Sequence, residues 1–170
     1  AYFKPRLAQL VHVMFLGFDF PASTVYEHCK VLLENLLVGV AVQHYEALGL
    51  APEESDAMQQ ALATVAAIRG QAVPKPTATS LRWGTPSLDD QDSPPPSSQQ
   101  QETSGGEGMF ALVPEVATAL ENVVREGHNF RALWLDECHG WITACAQLPQ
   151  AIRSCKIYRQ VAQEHNEEHM

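Results

Sequence analysis

Basic residues are scarce in this sequence. Its 170 residues hold 11 Lys and Arg against 20 Asp and Glu, a formal charge of −9 with the seven histidines neutral. Nucleic-acid grooves need clustered Lys and Arg to displace counterions, so this balance argues against an RNA or DNA partner. It argues equally against polybasic attachment to a membrane. No apolar run reaches the roughly 18–20 residues of a spanning helix, so direct membrane insertion is not expected. Cysteine is sparse: Cys29, Cys138, Cys145 and Cys155 are too few to staple a chain of this length. There is no Asn-x-Ser/Thr acceptor and no signal-peptide pattern, which points to a reducing compartment. Period-two strand patterns are nearly missing. The glycines at Gly105, Gly106 and Gly108 lack the Lys-Ser/Thr of a phosphate loop.

What the sequence does have is helical periodicity. Apolar residues make up 45% of the chain, enough to bury a core. Leu7, Leu10, Val11, Met14, Phe15 and Phe18 recur at helical spacing, which predicts a helix over 5–18 with Pro5 in its first turn. A second helix is expected from Thr24, with Thr24 and Glu27 at capping-box spacing. Gly39 marks an expected break, and a third helix follows over 40–48, closed by Gly49 and Pro52. A fourth, 53–69, opens on the acidic turn Glu53, Glu54 and Asp56, which suits the helix dipole. Further helices are expected from Pro114, from Phe130 and from Pro149. His12, His28 and His44 stand alone on helices and call for no special role.

Between these lobes the composition changes. Residues 71–108 carry Pro74, Pro76, Pro86, Pro94 to Pro96, Ser97, Ser98 and a Gln run, which cannot build a core. They predict a long disordered insert, with Leu81, Trp83 and Leu88 as its one apolar exception, read either as a short docking anchor or as a loosely packed surface Trp. Three regions result: helical hairpins over 1–70, the insert over 71–108, and helical hairpins over 109–170 that pack on the first lobe. The net charge divides evenly over them, −3 in each, so the acidity belongs to the whole surface.

Two stretches carry a shared pattern. Residues 26–53 run YEHCKVLLENLLVGVAVQHYEALGLAPE, and residues 141–161 run WITACAQLPQAIRSCKIYRQV. Small residues at Ala41, Ala119 and Ser154 let helices approach closely. The aromatics Tyr45 and Tyr158 follow one turn later, and Gly49 to Glu53 forms a closing turn. This pattern resembles the pentatricopeptide repeat. The resemblance implies an all-α fold, a short α-solenoid of three helix-turn-helix units: 24–52, 53–69 with 113–126, and 130–164. It also implies an organellar protein, mitochondrial in the first place and cytoplasmic otherwise. Many members of that family bind single-stranded RNA, which is the alternative function. The base-reading positions map onto Glu27, Met58 and His139, and none is of the residue type the family uses there.

The resemblance therefore implies a non-catalytic accessory subunit that contacts other protein subunits of a mitochondrial complex, such as the catalytic head of an ATP synthase. Candidate protein-contact residues are Tyr26, Lys30, Met58, Trp83 and Trp134. Ala41, Tyr45, Ala119, Ser154 and Tyr158 are expected to pack the repeats. No cofactor or metal is implied. His165 to His169 formally matches H-x-x-E-H, but at the chain end it reads as a solvated tail. With Pro149 opening a new helix, a disulfide between Cys145 and Cys155 across the last hairpin is one reading, and buried free thiols are the expected state.

Overall fold

The computed structural model describes residues 6–20, 22–72, 107–124 and 129–167. They form seven α-helices and no strand. In chain order these are α1 (Leu7–Gly17), α2 (Ser23–Leu48), α3 (Asp56–Gly70), α4 (Glu107–Phe110), α5 (Val113–Val123), α6 (Phe130–Ala144) and α7 (Leu148–Glu167). A 3₁₀ turn, Pro52–Glu54, precedes α3. The all-α expectation is met.

The longest helix departs from the expected layout. α2 runs unbroken for 26 residues through Gly39. Gly39 faces solvent, and nothing lies within 4 Å of where its side chain would be. A glycine in a helix interior costs about 1 kcal/mol and breaks nothing by itself. Burial of Leu33, Leu37 and Ala41 on the opposite side holds the helix straight through it. Residues 24–52 are therefore one helix and a turn, not a helical hairpin. Its start shifts too. Ala22 occupies the cap position with no side-chain bond, and Ser23 is already helical, so the Thr24–Glu27 capping box does not form.

The end of α2 follows the sequence reading. Gly49 takes φ 66°, the left-handed conformation that glycine adopts without steric cost. The Gly49 amide donates to the Glu46 carbonyl and the Leu50 amide to that of Tyr45, both at 3.1 Å, which satisfies two end carbonyls. The Glu53–Glu54 pair lies in the 3₁₀ turn and not in α3. Glu54 accepts from the Ala51 amide at 3.1 Å. The cap of α3 is Ser55, whose hydroxyl accepts from the Met58 amide at 3.2 Å.

Two antiparallel pairs make the frame, α2 with α3 and α6 with α7, and α1 and α5 fill the space between them. The main core draws on all of these helices. It centres on Phe15, Phe18, Tyr26, Phe130 and Trp134, each 1% exposed or less. Phe15 meets Phe18 edge-on at 5.4 Å, and Phe18 meets Tyr26 at 5.3 Å. Met109 and Phe110 on α4 are buried in the same core. Helix therefore begins at Glu107, two residues inside the stretch expected to be insert. A smaller cluster, Ala41, Ala57, Ala61 and Val123, joins α2, α3 and α5. Leu81, Trp83 and Leu88 lie outside the described residues. No helix among the described residues is long and apolar enough to cross a membrane.

Candidate functional site

Most of the chemistry-bearing side chains gather where α1, α6 and α7 meet. His12 is fully buried there. Its Nε2 lies 3.0 Å from Ser154 Oγ. Its Nδ1 lies 3.4 Å from Trp134 Nε1 and 3.5 Å from Cys138 Sγ. The Trp141 ring stacks at a tilt, 5.7 Å away. Trp134 Nε1 is a donor only, so His12 Nδ1 accepts and Nε2 carries the proton, donating to Ser154. The Ser154 hydroxyl in turn donates to the Gln150 carbonyl at 2.9 Å. The ring is satisfied on both sides as the neutral imidazole. Burial pushes its pKa down from 6.5 to about 4, since charging it there means losing hydration.

Cys138 is likewise fully buried, and burial followed by the nearby Glu137 charge pushes its thiol up to about 12. A thiol so protonated is no nucleophile. Ser154 has a histidine at hydrogen-bond distance but no exposure, so no substrate reaches the pair. The cluster is a polar seam that fixes three helices in register. Sequence reasoning missed His12 as its hub. The signal was present in the spacing of Ala8, His12 and Phe15, which puts the imidazole on the apolar side of α1.

A second feature lies on the outer side of the same contact. A solvent-open cleft of about 270 Å³ is lined by Glu137, Gly140, Trp141, Ala144 and Cys145 along the last two turns of α6. Trp141 Nε1 donates to Glu137 Oε1 at 2.8 Å, which fixes the indole and the carboxylate against each other. α6 ends here with no basic residue in its last turn.

The other expected residues are dispersed. Tyr26 and Trp134 are 1% and 0% exposed, so they belong to the core and offer a partner no surface. The Tyr26 hydroxyl donates to the Ala72 carbonyl at 3.4 Å, and its pKa is raised by burial and by Glu27. Lys30 Nζ donates to the carbonyls of Arg69 and Gln71 at 3.2 and 3.0 Å, ending α3 with a cation. Met58 is half-buried beside the alanine cluster. The expected concave contact face of Tyr26, Lys30, Met58 and Trp134 is therefore not one exposed surface. Trp83 lies outside the described residues, as do the side chains of His165 and His169. Ala41, Ala119 and Ser154 are buried as small packing residues, Tyr45 is half-buried, and Tyr158 is 39% exposed. Glu27 and His139 are exposed. All four cysteines are free, but Cys145 is half-buried and Cys155 exposed, so the expected burial of these two thiols is not met: they lie on the outer side of the α6–α7 pair. No group of three His, Cys, Asp or Glu among the described residues is arranged to hold a metal ion.

Comparison with protein-family models, with characterised proteins and with solved structures gives no match.

Proposed function

We propose that the chain is a non-catalytic interaction subunit, a helical scaffold that docks on a larger protein assembly. The observation that carries this reading is the outer side of α7. Leu148 is 70% exposed and Ile152 49%, and Cys155 continues the same stripe at helical spacing. The opposite side of the helix buries Ser154, Ile157 and Val161 in the core. α7 thus exposes apolar side chains over its first two turns that its own core does not use. Single exposed apolar residues are ordinary, but a stripe of them along one helix is what docking surfaces present. Covering Leu148 and Ile152 with a partner contributes on the order of 1–3 kcal/mol for each side chain.

The narrower form of the proposal makes the chain a mitochondrial accessory subunit with a pentatricopeptide-like scaffold, with the catalytic head of an ATP synthase as candidate host. It rests on the sequence pattern of Ile142 to Leu148, Ser154 and Tyr158. Migration of tagged full-length chain in native extract tests the general form. A complex well above the monomer is expected, and L148E with I152E releases the monomer without lowering the melting temperature. Migration of the wild type as a monomer overturns the reading. Co-purified partners identified by mass spectrometry decide between an ATP synthase head and any other host.

A further inference from the structure

The cleft at the end of α6 has the chemistry of a receptor for one cationic side chain. Glu137 is half-buried, and only one of its carboxylate oxygens is used, by Trp141. No cation among the described residues pairs with it. On the facing helix Arg153 is engaged by Asp19, and Lys156 is exposed with no bond to Glu137. The indole of Trp141 is held from below by His12 and from the side by Glu137. At about 270 Å³ the cleft lies under the roughly 300–1,000 Å³ of small-molecule pockets. It is a shallow, open recess on one helix with room for a single side chain. Leu148, 70% exposed, follows Cys145 by three residues and offers an apolar neighbour.

We infer that this cleft receives an arginine side chain from a basic, partly apolar segment of the partner protein. A guanidinium is planar and weakly hydrated, so it stacks on an indole and donates to a carboxylate at the same time. The free Glu137 oxygen is its acceptor, and the general acidity of the chain, −9, steers a basic segment toward it. The inference rests on the docking reading above and names the chemistry of the partner.

The test titrates acetyl-arginine N-methylamide into the full-length ¹⁵N-labelled protein and follows the Trp141 indole N–H, assigned through W141F. Saturable movement of that signal is expected, with the citrulline analogue inert, because citrulline keeps the shape and lacks the charge. E137Q keeps the bond to Trp141 and loses the carboxylate, so the arginine probe weakens there by roughly tenfold or more. Its other indole signals stay in place, which shows the variant folded. No saturable shift, equal responses to arginine and citrulline, or an unchanged titration in E137Q overturns the inference. Docking is read separately in native extract. A large complex that persists in E137Q while the probe leaves Trp141 unmoved overturns the cleft alone. A monomer in extract with a responsive Trp141 overturns docking and leaves the arginine site standing.

Discussion

The two helix contacts of this molecule are built in opposite ways. Where α1, α6 and α7 meet, packing relies on large rings, Phe15, Trp134 and Trp141, threaded by a polar seam through His12 and Ser154. Where α2, α3 and α5 meet, it relies on Ala41, Ala57 and Ala61, with polar contacts such as Gln60–Asn122 at the margin. The first contact gains its stability from buried area and its register from hydrogen bonds. The second gains both from close approach of backbones. One is therefore sensitive to removal of atoms and the other to their addition.

Removing atoms from the aromatic contact gives the largest effect. W134A empties a fully buried ring site that touches Phe15 and Phe130, and about 3–5 kcal/mol of stability is expected to be lost in a urea melt. Loss below about 1 kcal/mol would break the contrast between the contacts.

Acid is expected to act on the same contact through His12. His12 has a folded pKa of about 4 against 6.5 unfolded. Between those values the unfolded chain binds a proton that the folded chain refuses, so stability falls as pH drops through this window. The size is about 3 kcal/mol from pH 7 to pH 4, with no further loss from this group below pH 4. Urea melts of wild type and H12N across that range isolate the contribution, since carboxylates titrate in both. Parallel pH profiles would show that His12 is not the neutral hub.

The alanine contact is tested by adding atoms. A61L crowds a site 1% exposed, and a loss of about 1–3 kcal/mol is expected. L62F, which adds atoms at a position 44% exposed, should be silent. Ser55 caps the helix that carries this contact, and S55A should cost about 1 kcal/mol by thermal melting. Smallest of all is R69A. Its ion pair with Glu34 measures 2.8 Å, but the arginine is 70% exposed, so the expected loss is below about 1 kcal/mol and shrinks with salt.

The helices were legible because apolar periodicity survives without knowledge of the neighbours. α1, α6 and α7 start within two residues of the positions read from Pro5, Phe130 and Pro149, although α7 runs on to Glu167, past the 164 expected. The failures have physical causes. Gly39 reads as a break because glycine is a weak helix former, yet burial of Leu33, Leu37 and Ala41 overrides that preference. Thr24 and Glu27 have capping spacing, but the helix had already begun at Ser23. Glu107 to Phe110 adjoin a Gly- and Ser-rich stretch, and only the core they meet makes them helical. Trp134 and Tyr26 look like contact residues by type, and nothing local distinguishes an aromatic that faces a partner from one that faces the chain's own core.

By itself, then, the sequence determined the fold class, the acidic surface and the turn at Gly49. These depend on side-chain period, on a sum of charges and on one residue's freedom to take positive φ. The tertiary structure alone decided which residues meet: His12 with Ser154, 142 positions apart, and Glu137 with Trp141 at an open cleft. Such pairings arise from the way whole helices pack, and a helix face shows which of its side chains are apolar without showing what they will touch.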